Sequence, residues 1–147
     1  MYSIRTETFL DAPPGAVWGV LADFAAYAAW NPLMVEARGE LRVGARLAFK
    51  VRLPGMGGRA QALRATLVEM EPGRGLAWAG GVPGVLLGRH SLWLSPDGAG
   101  TRLVHGEDFT GVAVWLVQWK LATFKASYEE MNRALAERVR GVVSSAA

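Results

Sequence analysis

The sequence contains no cysteine, and this absence excludes several kinds of chemistry. Among its 147 residues no thiol is available to form a disulfide, to bind zinc as a thiolate or to act as a nucleophile. Only two histidines are present, His90 and His105. Together with Glu107 they could form a zinc site, but no local spacing motif supports one, so we expect no metal ion and no cofactor.

Long hydrophobic runs are also missing. The longest apolar stretch, residues 112–121, is interrupted by two polar side chains and is well short of the roughly 20 residues that span a bilayer. Residues 1–10 carry Arg5 and Glu7 in an alternating pattern, which predicts a strand and not a signal peptide. We therefore expect a cytoplasmic protein without a transmembrane segment.

The sequence also lacks a large excess of charge of either sign, because only a fifth of the residues are charged and the net charge is +3. Half of the residues are hydrophobic, which excludes a disordered chain, and the length suits one domain over residues 1–147. Basic residues alternate along the outer face of the predicted sheet: Arg46, Lys50, Arg52, Arg89 and Arg102. Without stacking aromatics between them this face is better explained as solvated than as an RNA or acidic-partner surface, so we expect no nucleic acid.

What the sequence does contain is a clear order of elements. Residues 2–11 alternate with a period of two, and Pro13 and Pro14 then favour a helix start, followed by two short helices or one bent helix. Glycine and proline recur about every ten residues from there to residue 110, with a glycine-rich turn at residues 55–58. Six more strands are predicted, near residues 34–41, 45–53, 60–70, 76–79, 87–94 and 101–110.

The remaining residues have a helical period. An apolar stripe recurs at steps of three and four residues and predicts a helix over about residues 112–142; its members are Val114, Val117, Leu121, Phe124, Tyr128, Met131 and Leu135. The first half is also apolar on its flanks, through Trp115 and Trp119 among others, so we expect it to be covered on several sides. A sheet of this kind buries its apolar face by bending around the last helix, giving an α+β fold with a curved seven-stranded antiparallel sheet.

Three segments resemble the START and birch-pollen-allergen (SRPBCC) superfamily, particularly its bacterial polyketide cyclase/dehydrase-like branch. They are residues 12–18 (APPGAVW), 23–32 (DFAAYAAWNP) and 100–111 (GTRLVHGEDFTG). The resemblance implies a helix-grip fold with a hydrophobic cavity that binds lipids, polyketides, terpenoid quinones or hormones, sometimes with catalysis and often without. It supplies no shared catalytic set.

Candidate site residues follow from the strand alternation. His105 and Glu107 share a face and lie about 6.6 Å apart along the last strand, while His90 on the neighbouring strand is expected on the same inner face. An imidazole and a carboxyl group in an apolar pocket could act as acid and base, or could only orient a ligand through hydrogen bonds. The predicted ligand-binding residues are Trp30, Phe49, Trp78, His90, Leu92, His105, Glu107, Phe109, Trp119 and Phe124.

Three functions are compatible with these observations. The first is a carrier or sensor that binds a hydrophobic small molecule of lipid, polyketide or isoprenoid type, as a monomer or homodimer. The second is a polyketide cyclase or dehydratase that uses His105 and Glu107 as its acid/base pair. The third is a protein-partner or ribosome-associated module that binds through its arginine face. Residues 80–86 could form a lid over the cavity or a hairpin packed on its own core.

Overall fold

The computed structural model describes residues 1–54 and 57–146, so Gly55 and Met56 of the predicted glycine-rich turn lie outside the described residues. The strands are β1 (Tyr2–Leu10), β2 (Met34–Arg38), β3 (Arg46–Val51), β4 (Gln61–Glu71), β5 (Gly75–Val82), β6 (Leu86–Asp97) and β7 (Gly100–Thr110). The helices are α1 (Pro14–Leu21), α2 (Tyr27–Trp30), α3 (Val114–Leu121) and α4 (Lys125–Ala146). The seven predicted strands are therefore all present, with bounds that differ by a few residues.

The strands form one antiparallel sheet in the order β1-β7-β6-β5-β4-β3-β2. Within β3, Leu47, Phe49 and Val51 are buried while the intervening residues are exposed, as the sequence alternation predicts. The register shifts between Met34 and Glu36 and again between Leu67 and Glu69. Such irregularities bend a strand and increase its twist, so they help the sheet to curl around the last helix.

The segment between β1 and β2 contains the two short helices. A 3₁₀ turn at Phe24–Ala26 lies between α1 and α2. The hydroxyl group of Tyr27 donates to the carbonyl of Leu21 at 2.7 Å, and the side-chain oxygen of Asn31 accepts the backbone N–H of Leu33 and Met34. These bonds satisfy polar groups that would otherwise be buried unpaired where the chain turns into β2.

The C-terminal helical segment is long, as predicted, but is interrupted by a 3₁₀ turn at Ala122–Phe124. The Thr123 hydroxyl donates to the Lys120 carbonyl at 2.6 Å in this turn. Six of the seven predicted stripe residues are buried and Val117 is half-buried. The α+β helix-grip fold is thus confirmed, and no helix among the described residues is long and apolar enough to cross a membrane.

The expectation that α3 is covered on several sides is wrong. Trp115 and Trp119 are 71% and 72% exposed, because only the side of α3 that carries Val114 and Leu121 packs against the sheet.

Candidate functional site

A cavity of about 420 Å³ lies between the inner face of the sheet and the C-terminal helical segment. Most of its wall is aliphatic or aromatic, and the lining residues come from β2 through β7, α3, the turn that follows it and the first turn of α4. The aliphatic lining residues include Leu33, Met34, Val51, Leu63, Ala65, Leu86, Val117 and Leu121. Four side chains bring polar atoms to the wall: His90, Glu107, Lys120 and Tyr128. The cavity is thus apolar apart from these side chains. Three of them, His90, Glu107 and Tyr128, form one polar cluster.

Glu107 is the centre of that cluster. Its Oε1 atom accepts a hydrogen bond from the hydroxyl group of Tyr128 at 2.5 Å and lies 2.9 Å from Nδ1 of His90. Its Oε2 atom makes no hydrogen bond within the described residues and lies over Gly88, where an added Cβ would come within 2.2 Å of it. One carboxyl oxygen is therefore held by hydrogen bonds, and the other lies beside Gly88 without one.

A chain of hydrogen bonds runs from this carboxyl group into the core. Nε2 of His90 lies 2.7 Å from Nε2 of His105, and Nδ1 of His105 lies 2.7 Å from Oδ1 of Asn132. Nδ2 of Asn132 donates to the Thr6 hydroxyl oxygen at 2.8 Å, and that hydroxyl donates to the backbone carbonyl of His105 at 2.7 Å. All four of these residues are buried.

The direction of these bonds can be assigned from the Thr6 end. Because the Thr6 hydroxyl donates its proton to a carbonyl, it must accept from the amide of Asn132, whose oxygen then accepts from Nδ1–H of His105. Burial, and after it the neighbouring His90, lowers the pKa of His105 to about 3, so this ring is neutral and its Nε2 is an acceptor. His90 consequently donates through Nε2.

This assignment leaves one proton between Nδ1 of His90 and Oε1 of Glu107. Either a carboxylic acid donates to a neutral imidazole, or an imidazolium donates to a carboxylate. The hydroxyl of Tyr128 stays protonated, since burial and the adjacent Glu107 raise its pKa well above the usual range. The wall of the cavity therefore carries an acid/base pair that shares a single proton.

The fold holds these rings in place by stacking. His90 stacks on Trp78 with the ring centres 4.9 Å apart and the planes 2° from parallel. His105 stacks on Tyr128 at 4.9 Å and 14°. The β6–β7 register places His90 directly opposite Glu107, and Tyr128 and Asn132 project from successive turns of α4.

The predicted ligand-binding residues divide into two groups. Trp78, His90, Glu107, Phe109 and Phe124 line the cavity. Trp30, Phe49, Leu92, His105 and Trp119 do not.

Each residue of the second group lies elsewhere for a physical reason. Trp30 packs edge-on against Tyr27 within α2, with the ring centres 5.3 Å apart, while Phe49 is buried in the core against Trp78. Leu92 and His105 face each other across β6 and β7 and are fully buried under the helix. Trp119 is on the outward side of α3. The two histidines thus occupy different positions, with His90 at the cavity wall and His105 behind it.

Sequence reasoning missed four residues of this region. Tyr128 was predicted only as part of the helical stripe, and Thr6 only as part of a strand. Asn132 was not singled out, although a polar residue four positions after Tyr128 and next to Met131 interrupts the edge of the stripe, which is a recognisable sign of a buried polar partner. Lys120 interrupts an otherwise apolar run in α3 and lies at the cavity wall.

Comparison with known proteins identifies one family over nearly the whole chain. The profile of the family described as polyketide cyclase / dehydrase and lipid transport matches residues 1–140. No curated protein sequence matches the chain.

Several solved structures share the architecture. The Zhui aromatase/cyclase from Streptomyces sp. R1128 superposes with a TM-score of 0.77 at 17% identity, with 97% of this chain and 95% of that chain covered. Protein NE0264 from Nitrosomonas europaea gives a TM-score of 0.76 at 18% identity, with 97% and 96% covered. DynU16, a protein in the dynemicin biosynthetic locus, gives 0.71 at 19% identity, and the match covers 94% of this chain and 47% of that one. At these identities the likeness shows a shared fold.

Proposed function

The chain belongs to the polyketide cyclase / dehydrase and lipid transport family, and from this premise we propose that it carries or senses a hydrophobic small molecule of lipid, polyketide or isoprenoid type. The observation that supports the proposal is the cavity of about 420 Å³, whose wall is mostly apolar and carries one polar cluster around Glu107 as well as Lys120. Small-molecule sites commonly combine an apolar wall with a few placed polar groups. Here the wall supplies binding energy and the cluster supplies orientation.

The free oxygen of Glu107 defines how the ligand is oriented. Oε2 lies against Gly88 without a hydrogen bond from a described residue, and Glu107 lines the cavity, so a ligand hydroxyl group can donate to this oxygen when the carboxyl group is ionised. When the shared proton lies on the carboxyl group, the same residue can donate to a ligand carbonyl. The proposed ligand is therefore an apolar molecule with a hydroxyl or carbonyl group at the end that enters the cavity.

Native mass spectrometry of freshly purified protein, followed by organic extraction, tests this proposal. We expect an adduct of defined mass, and we expect Glu107→Gln to lower the affinity for the extracted molecule by about ten-fold, which corresponds to one lost hydrogen bond to a charged group. Glu129→Gln, at an exposed position of α4, is the matched control and should bind as the wild type does. A wild-type protein that releases nothing and binds no apolar fluorescent probe would contradict the proposal.

The shared proton favours a second candidate function, acid–base catalysis of a cyclisation or dehydration. The sequence-based pair was His105 and Glu107, but the groups that face the cavity are His90 and Glu107, with His105 behind His90. One member of this pair could remove a proton from a bound polyketide while the other returns one to an oxygen. If the protein is such an enzyme, His90→Gln should abolish turnover of the extracted molecule and change its affinity less than five-fold. A carrier should lose affinity only.

A further inference from the structure

One side of α3 is apolar and exposed, which is unusual for a helix of this composition. Trp115, Leu116 and Trp119 are 71%, 55% and 72% exposed, and Val112, two residues before the helix, is 73% exposed. Val114 and Leu121, on the opposite side, are buried. A helix that is apolar all round is normally covered on all sides, so the exposed side of α3 is a surface without its partner.

A neighbouring loop extends this surface. Val82 and Val85, at the β5–β6 connection, are 59% and 49% exposed. The backbone N–H of Val112 donates to the carbonyl of Gly84 at 3.0 Å, which fixes the loop against the start of α3. We call the exposed set the rim: Val82, Val85, Val112, Trp115, Leu116 and Trp119.

The rim adjoins the wall of the cavity. Gly81 and Leu86, which flank the exposed valines, line the cavity, as does Lys120, which follows Trp119 directly. The two tryptophans alone expose on the order of 300 Å². A patch of this size equals the largest apolar patch on a typical monomer, and such patches are commonly interaction sites.

The two segments that carry the rim contain basic residues but no acidic ones. Residues 72–96 and 109–128 contain no aspartate or glutamate. Lys120 and Lys125 lie on the helical segment that carries the tryptophans, and neither forms an ion pair with a described residue. We therefore expect the partner of this surface to have an apolar interior and a negatively charged surface.

We propose that the rim docks on an anionic lipid membrane, with Trp115 and Trp119 at the level of the headgroups and the cavity entrance facing the bilayer. Indole rings suit that depth because they combine a large apolar body with one N–H donor, and lysine side chains extend their ammonium groups toward lipid phosphates. The proposal goes beyond the binding of a ligand, since it states from where a membrane-soluble molecule would enter.

Co-sedimentation of the full chain with phosphatidylcholine vesicles, with and without phosphatidylserine, tests the proposal without requiring a ligand. We expect binding to the phosphatidylserine-containing vesicles that decreases as salt is raised. Trp115→Ser with Trp119→Ser should lower the partition coefficient at least ten-fold. Phe9→Ser is the matched control, because Phe9 is a 57% exposed aromatic residue at the far end of the sheet, paired with Arg102.

Charge is tested in the same assay. Lys120→Gln with Lys125→Gln should weaken binding by about 25-fold, since each basic residue near an anionic surface contributes roughly a five-fold factor. Arg133→Gln with Arg140→Gln, exposed positions of α4, should have little effect. Quenching of the protein's fluorescence by brominated lipids should be lost in the tryptophan variant and kept in the Phe9 variant.

Two results would overturn the proposal. The first is a folded wild-type protein that binds neither vesicle type at low salt. The second is a concentration-dependent dimer, detected by sedimentation, that disappears in the tryptophan variant while vesicles remain unbound, because a second copy would then be the partner of the rim.

Discussion

His105 shows how one buried side chain links the candidate site to stability. It is fully buried, donates to Asn132 and accepts from His90, and it therefore has to be neutral in the folded protein. The pKa of about 3 contrasts with the ordinary value of 6.5, which applies once the chain unfolds. Between these two values the unfolded chain binds a proton at this residue that the folded chain does not.

The free energy of unfolding should consequently fall as the pH is lowered below about 6.5, with His105 contributing a slope of up to about 1.4 kcal/mol per pH unit. Above that pH its contribution is constant. His105→Gln keeps a polar side chain but removes the titration, so its stability should depend less steeply on pH. Urea unfolding of both proteins across this range measures the two slopes, and carboxylates common to both cancel in the comparison. Parallel curves would show that His105 is protonated in the folded state.

At the scale of elements, the β6–β7 hairpin determines the geometry of the candidate site. Its connection between Asp97 and Gly100 is two residues long and sets the register that pairs His90 with Glu107. On the same hairpin, the space beside Gly88 holds the free oxygen of Glu107. At Gly106, by contrast, an added Cβ would lie 2.3 Å from the backbone oxygen of Ile4.

These two glycines predict different outcomes for the same substitution. Gly88→Ala meets the end of a flexible side chain, so it should displace the Glu107 carboxyl group, lower ligand affinity about ten-fold and cost less than about 1 kcal/mol of stability. Gly106→Ala meets backbone, so it should disturb the β1–β7 pairing and cost about 2 kcal/mol or more. Thermal unfolding and a ligand titration on each variant separate the two effects. Equal losses of stability would contradict the assignment.

The β6–β7 hairpin also shows which features of the candidate site could be predicted from the sequence. Strand alternation predicted the inner faces of β6 and β7, and a two-residue connection would also have predicted that His90 faces Glu107. The place of Asn132 and Tyr128 in the hydrogen-bond chain could not be obtained in this way, because it depends on how α4 is rotated over the sheet. The outward orientation of Trp115 and Trp119 was missed for a similar reason, since apolar composition indicates burial only when the chain itself supplies a cover.

At the scale of the whole molecule, the proposed ligand should affect the stability of the fold as well as occupy the cavity. A ligand that binds only the folded state raises the free energy of unfolding by RT ln(1 + [L]/Kd). Protein freed of ligand by organic extraction and refolding should therefore unfold at a lower temperature than protein as purified, by several degrees for a ligand present at about 100 times its Kd. Calorimetry of both preparations measures the difference.

A variant with a filled cavity gives the control for that comparison. Ala65 is buried and lines the cavity, so Ala65→Phe should occupy part of its volume. We expect this variant to unfold at the same temperature before and after extraction. A difference as large as that of the wild type would place the bound molecule somewhere else.

The pairing of β1 with β7 also has a consequence for biosynthesis. Thr6 bonds to the backbone of His105, 99 positions later, and accepts from Asn132, 126 positions later. During synthesis, the first strand emerges from the ribosome long before the strand and the helix that pack against it. These two bonds, and the cavity wall that ends at Tyr128, are therefore complete only when nearly the whole chain has been synthesised, so folding of the site must follow synthesis.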